Sequence, residues 1–474
     1  MNISIIIGII YMISILSAFS LVFIERKEPN TTWAWLIILL VLPGIGFIIY
    51  LFLGQNLSRQ KIFREKKVVD EKKSKELLEK FREERSNRGF SEEFMDLIKM
   101  NYNNTGAIYT PRNKVDTFID GEDKFKSLLE DIKNANSFIH IEYYIFRMDN
   151  LGKTIVDELG KKVKEGVEVR LLVDGMGSKS LSKKEVKYIK NLGIKFNLFF
   201  PCKPYINIRL NYRNHRKIVV IDGEIGYVGG FNVGDEYINR GKQFDFWRDT
   251  HIRIEGQAVN ELNKRFILDW DYASEGEIID YNKYFSNKKV DGNIGMQIVS
   301  SGPDHKEEFI KNAYIKIINN AKKTLYIQTP YLVPDEPMKE ALKIASLSGV
   351  DVRIMVPGSP DHFFMEWILS ANIGELMESG IKFYRYNKGF IHSKTIIADG
   401  KVSSIGTANL DIRSFKLNFE INAIIFDNDF TSNQEQIFMN DIKNSNIVTK
   451  EEYNNRSRIL KIKEALIMLI SPIL

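Results

Sequence analysis

Cysteine is all but missing. One residue, Cys202, stands in a chain of 474, so an intrachain disulfide and thiolate metal clusters are both excluded. Histidine is nearly as scarce, at six, which makes its placement informative. A strong charge imbalance is lacking too: 67 Lys and Arg against 61 Asp and Glu leave +6. That suits an anionic membrane or a phosphate-bearing ligand, yet provides no basic stripe for a polyanion, so nucleic acid is not an expected partner. Apolar residues are not scarce. They make up 44% of a chain longer than one core usually fills, and two domains are expected.

Two apolar runs without a charge, Ile3–Ile24 and Trp33–Leu53, open the chain. At ~1.5 Å per residue, a run of about 20 residues spans a ~30 Å hydrocarbon core. The short connection predicts a transmembrane helical hairpin over 1–56. A secretory signal fits less well, for want of a basic start and a small-residue cleavage site. Pro43, Gly44 and Gly46 mark a kink or a close approach in the second helix. Arg59, Lys61, Arg64, Lys66 and Lys67 follow, and such a basic flank places the rest of the chain on the cytoplasmic side. Residues 57–109 read as a solvated, charged helical linker. Residues 456–474, basic and then apolar, read either as an interfacial helix or as a packed terminal element.

Between these ends the chain repeats itself. "VEVRLLVDG" (167–175) returns as "VDVRIMVPG" (350–358), and "LGIKFNLFF" (192–200) as "SGIKFYRYN" (379–387). Strand-like runs alternate with helical stretches, the pattern of an α/β fold. Two similar lobes related by a pseudo-twofold are expected, over 110–290 and 291–455.

The sharpest repeat holds two of the six histidines: "NHRKIVVIDGEIGYVGGFN" (214–232) and "IHSKTIIADGKVSSIGTAN" (391–409). Each reads H-x-K, four residues, D. Side chains two apart on a strand face one way, so His215 lies beside Lys217 and His392 beside Lys394. An imidazole beside an ammonium suits an anion that must be held and then attacked or protonated. The D-G dipeptides predict turns that return Asn232 and Asn409 toward the histidine of their own copy, as amide donors. Asp222 and Asp399 fall on the opposite strand face, in a turn, where a structural role fits better. Together these groups suit a phosphodiester: one histidine attacks phosphorus, the other protonates the leaving oxygen, and lysines and asparagines hold the phosphate oxygens. No carboxylate cluster accompanies the histidines, so neither a metal nor a cofactor is expected.

These motifs resemble the paired HKD motifs of the phospholipase D superfamily, over roughly 110–474. "IHIEYYIFRMDNLG", "TPYLVPDE" and "GTANLDIRSFKLNFEIN" are more narrowly similar to bacterial cardiolipin synthases. The resemblance implies a phosphatidyltransferase of the bacterial inner membrane. It would make cardiolipin and glycerol from two phosphatidylglycerols through a phosphohistidine, and the first-copy histidine, His215, is favoured as nucleophile. It counts Asp222 and Asp399 among the catalytic motif residues. It also implies a downstream acid that orients a histidine: Glu420 in the second copy, and Asp249 in the first if six extra residues are allowed. A phospholipase D-type hydrolase, or transfer to another alcohol, is the alternative.

Overall fold

The computed structural model describes residues 3–20, 29–50, 63, 65–73, 92–201, 211–274, 277 and 281–470. The end of each apolar run, most of the basic flank and Cys202 lie outside them.

The first apolar run forms a helix over Ile3–Ser20, and the second forms helices over Pro29–Val41 and Ile45–Ile49. The break follows from Pro43, which has no N–H to donate, and from Gly44, whose φ of 84° suits a residue without Cβ. Among the described residues no helix is long and apolar enough to cross a membrane.

The segment read as a solvated linker is helical over most of its described residues, but it is not simply solvated. Phe63 is fully buried among Phe200, Tyr212 and Phe419. Lys66 is buried against Asp70 and, at 3.2 Å, Asp269. Leu97 and Ile98, on the helix Met95–Thr105, join the core of the second lobe. Charge density suggested exposure here, but ion pairing lets those charges go inside.

Two mixed sheets follow. The first runs, edge to edge, through Asn113–Phe118, His251–Gly256, Ile225–Gly229, Ile218–Ile221, Phe138–Tyr143, Glu168–Asp174 and Lys195–Phe199. The second repeats that order with Gly295–Ser301, Asn418–Phe426, Val402–Gly406, Thr395–Ala398, Thr324–Gln328, Asp351–Pro357 and Lys382–Tyr386. It also gains edge strands, including Tyr109–Thr110. In each lobe the last three of these strands are parallel and linked by helices, since parallel neighbours need a crossover connection. "IVVI" and "TIIA" sit mid-sheet with every residue buried, as continuous apolar strands covered on both faces should be. One hydrophobic core joins the lobes: Ile218, Ile252 and Phe266 from the first pack with Met296, Ile405 and Phe419 from the second.

Candidate active site

The D-G turns set the geometry of both motifs. Asp222 and Gly223 have φ of 53° and 68°, and Asp399 and Gly400 have 55° and 64°, so both central positions are left-handed, as tight hairpin turns prefer. The aspartates do more than turn the chain. Asp222 accepts hydrogen bonds from the backbone N–H groups of Asn136, Ser137 and Phe138 at 2.8, 2.8 and 2.9 Å. Asp399 does the same for Lys322, Lys323 and Thr324 at 2.7, 2.7 and 2.9 Å. Both carboxylates are spent on tying the hairpin to the neighbouring strand. This corrects the catalytic place that the family motif suggests for them and agrees with their position in the turn.

At the other end of each hairpin the lobes cross. Arg213–Asn214 pairs in parallel with Asn418–Phe419, and Phe390–Ile391 pairs in parallel with Trp247–Arg248. The N–H of His215 donates to the Phe419 carbonyl at 2.9 Å, and that of His392 to the Arg248 carbonyl at 2.7 Å. The next residue along each partner strand is a carboxylate. Glu420 Oε2 lies 2.9 Å from His215 Nδ1, and Asp249 Oδ2 lies 2.6 Å from His392 Nδ1. Each acid therefore holds the histidine of the other lobe. Strand register gives Asp249 and Glu420 the same place: Gly229 pairs with His251 and Gly406 with Asn422, and each acid stands two residues earlier. Gly230 is required here, because a Cβ on it would come within 2.0 Å of Asp249 Oδ1.

Carboxylate contact at Nδ1 fixes the tautomer with the proton on that nitrogen, leaving Nε2 with its lone pair. Burial, reinforced by Lys217, depresses the pKa of His215 against the opposing pull of Glu420. His392 is pushed down to about 3 by burial and by Lys394, with Asp249 opposing. The lysines are buried as well. Lys217 Nζ donates to the His215 carbonyl at 2.7 Å; Lys394 Nζ donates to the His392 carbonyl and lies 2.8 Å from His392 Nδ1. Burial brings Lys217 down to about 7 and Lys394 to about 8. Each lysine also feels the other's charge or the other lobe's acid, so the four groups share one electrostatic site. Burial raises Glu420, but the charges of His215 and Lys217 prevail and keep it below the usual range.

The amides of both asparagines make loop contacts. Asn232 Oδ1 accepts from the Ile145 N–H at 3.1 Å and its Nδ2 donates to the Tyr237 hydroxyl at 3.3 Å. Asn409 Nδ2 donates to Asp411 at 3.0 Å, while its buried Oδ1 has no partner among the described residues. Neither is hydrogen-bonded to its own lobe's histidine, because both face loops that they pin.

Two arginines next to site residues escaped the sequence reading. Arg216, between His215 and Lys217, donates to Asp269 at 2.5 Å and to the Glu420 carbonyl at 3.2 Å. Arg248, beside Asp249, pairs with Asp441 at 2.7 Å. Glu142, raised by burial to about 8, accepts from Asn214 at 2.5 Å. Only the position of each arginine next to a site residue hinted at this. The carboxylates that neutralise them are distant in sequence.

Known proteins resemble this chain in sequence and in fold. The family described as "Cardiolipin synthase, PLD-like domain" matches residues 128–270 and 314–442, and "Phospholipase_D-nuclease N-terminal" matches 12–55. A cardiolipin synthase of Clostridium perfringens is 51% identical over 458 residues, covering 95% of this chain and 96% of its own. One of Staphylococcus aureus is 47% identical over 473 residues, covering 98% and 95%. Among solved structures, phosphatidylserine synthase of Haemophilus influenzae superposes with a TM-score of 0.58 at 15% identity, covering 79% of this chain and 97% of that one. Polyphosphate kinase of Porphyromonas gingivalis gives 0.50 at 14%, covering 75% and 53%. At those identities the two structures speak for the fold alone. The sequence relatives go further: the chain belongs to the cardiolipin synthase family of proteins with two phospholipase D-like domains.

Proposed function

We infer that this chain is a cardiolipin synthase that joins two phosphatidylglycerols and releases glycerol. The observation that carries the reading is the pair of crossed histidine–carboxylate contacts, one histidine from each lobe in a single charged site, in a chain about half identical to cardiolipin synthases along nearly its whole length.

The chemistry follows from the tautomers. With Nδ1–H held by Glu420, the Nε2 lone pair of His215 attacks the donor phosphorus in line. The glycerol oxygen departs and takes a proton from Nε2 of His392, whose imidazolium is stabilised by Asp249 once the anionic phosphate has entered. Lys217 and Lys394 hold the equatorial oxygens, helped by the second N–H that Asn232 and Asn409 each keep beside a loop contact. The head-group hydroxyl of a second phosphatidylglycerol then gives its proton back to His392 and attacks the phosphohistidine. Cardiolipin leaves and both histidines return to their starting states. His215 is the better nucleophile, because Lys394 as well as Asp249 faces Nδ1 of His392.

The lobes, over 110–290 and 291–455, are related by a pseudo-twofold on this reading, and the chain is anchored in the bacterial inner membrane by the hairpin over 1–56. The support is the apolar surface of the terminal helices, where Leu16, Phe19, Leu40 and Val41 are 62%, 63%, 62% and 69% exposed, a costly arrangement in water. The helix Arg458–Ile470 lies on the membrane surface. It packs on the helix Phe363–Met377 and turns Ile459, Ile462, Leu466 and Leu469 outward, with Arg458, Lys461 and Lys463 beside them. The catalytic lobes then lie on the cytoplasmic side, and a reporter fused after Leu474 is active only there.

Full-length protein in vesicles of phosphatidylglycerol alone tests the activity. Cardiolipin and free glycerol are expected in equal amounts, and cardiolipin vesicles given labelled glycerol should return labelled phosphatidylglycerol. Phosphatidic acid as the dominant product would make the chain a hydrolase instead.

A further inference from the structure

Beside the two histidines, the lobes bring together a pair of arginines that the steps above leave unused. Arg213 stands two residues before His215, and Arg413 lies on the second-lobe helix Ile412–Lys416. The charges of both are felt at the hydroxyl of Tyr144, and Arg413 feels that of Arg213. Tyr144 in turn sets its ring edge-on to His215, with centroids 4.9 Å apart at 64°. A guanidinium is thus held one aromatic ring away from the imidazole, at the half-buried rim of the site.

Asp411 acts on the charge of Arg413, whereas the surroundings of Arg213 do little to neutralise it. Arg213 donates to the Tyr212 carbonyl at 2.8 Å. Arg413 donates to the side-chain and backbone oxygens of Asn211 at 3.0 and 3.2 Å. Those acceptors are uncharged. Asp174, a carboxylate that feels the charge of Arg213, gives its oxygens to the N–H groups of Met176, Gly177 and Asn214. Among the described residues no carboxylate forms an ion pair with Arg213. Two guanidiniums held near each other at a rim, one of them without a carboxylate, match the planar, bidentate donors that bind phosphate.

Cardiolipin synthesis supplies such a phosphate. The acceptor's own phosphodiester is separated from its attacking hydroxyl by the three carbons of one glycerol. When that hydroxyl reaches the phosphohistidine, a second anion must lie beside the first. Water or free glycerol as acceptor brings none.

We propose that Arg213 and Arg413 form the acceptor site, binding the phosphodiester of the incoming phosphatidylglycerol, with Tyr144 positioning Arg213. The proposal rests on the transferase reading and names what selects a phospholipid over a simple alcohol. It separates two reactions of one phosphohistidine. Transfer to phosphatidylglycerol needs the arginines, whereas exchange of labelled glycerol into phosphatidylglycerol does not.

Both are measured with the full-length protein in phosphatidylglycerol vesicles, for Arg213→Gln, Arg413→Gln, Arg213→Lys and Tyr144→Phe. The ratio of cardiolipin formed to glycerol exchanged should fall about tenfold or more in each glutamine variant, the loss of one charged hydrogen bond to phosphate. It should recover in part with Arg213→Lys and fall less with Tyr144→Phe, which keeps the ring against His215. An unchanged ratio in both glutamine variants, or the same parallel loss of both reactions in all four, would reject the acceptor site. A wild-type protein that yields only phosphatidic acid would remove the transferase reading, and the acceptor site with it.

Discussion

In the first lobe, Nδ1 of His215 faces Glu420 and the ring meets the edge of Tyr144. In the second, Nδ1 of His392 faces both Asp249 and Lys394, and Trp247 packs on the ring at 5.3 Å. The supporting acids differ to match. Asp249 rests against Gly230, whereas the longer Glu420 faces Thr407, which occupies the equivalent step. Strand order, turn geometry and the three-bond anchors of Asp222 and Asp399 are the same in both lobes. The scaffold has kept its symmetry while the lining has drifted. That is the expected outcome where two histidines must be held alike but perform different work, one attacking phosphorus and the other carrying a proton.

The strongest test of this comparison removes each histidine in turn. His215→Ala and His392→Ala should each lower turnover by about three orders of magnitude or more, with the double variant little worse, since groups acting as a unit do not add. Half the wild-type rate in either variant would mean that each lobe works alone.

The crossing itself comes next. Glu420→Gln removes the charge that holds up the pKa of His215, and Asp249→Asn does so for His392. Each should cost about two to four orders of magnitude in turnover. In NMR titrations, Glu420→Gln should move the His215 resonance further down in pH and leave His392 in place; Asp249→Asn should do the reverse. A shift confined to the histidine of the same lobe would contradict the crossed arrangement.

A smaller effect separates the lysines. In the empty site Lys217 and Lys394 lose their protons near 7 and 8, so the charge that receives the phosphate is present below that window and lost above it. The histidine that attacks must be neutral, and burial keeps it so to below 6.5. kcat/KM should therefore be highest just below neutrality, fall about tenfold per unit between pH 7 and 8, and fall about a hundredfold per unit above pH 8, where both ammonium groups are being lost. Bound phosphodiester favours the ammonium form, so the alkaline limb of kcat should lie higher than that of kcat/KM. Coincident limbs would mean that the lysines do not meet the phosphate. Chelation should leave all these rates unchanged if lysines and amides carry the phosphate charge, and a loss restored by one divalent ion would overturn that.

Much of this was legible in the chain. Two copies of H-x-K, apolar strands and D-G turns are local signals, and their geometry depends on the nearest few residues. The crossing was not legible, because Asp249 and Glu420 keep the same offset whether they serve their own lobe or the other. Reading Lys66 and Asp70 as solvated failed for a related reason. Their partners Asp269 and Arg265 lie nearly two hundred positions away, and no window of sequence shows a charge that is cancelled at that distance. Asn232 and Asn409 return to the site end of their hairpins, yet loop contacts that no spacing encodes take up their amides.

The smallest expected change in turnover belongs to the two anchors. Asp222 and Asp399 each accept three backbone N–H groups with both oxygens. Asparagine tolerates the positive φ of 53° or 55°, so Asp→Asn leaves the turn unstrained and isolates the hydrogen bonds. The new NH2 group faces a donor, and at least one backbone N–H loses its acceptor, at about 1–3 kcal/mol. Because both anchors make the same three contacts, Asp222→Asn and Asp399→Asn should lower the unfolding free energy by similar amounts, while turnover per folded molecule stays within about twofold of wild type. Alanine should cost more, since it adds a left-handed residue without a side-chain acceptor. A loss of turnover in soluble, folded Asp222→Asn with Asp399→Asn unaffected would give the first-lobe aspartate a chemical role and end the equivalence of the two turns.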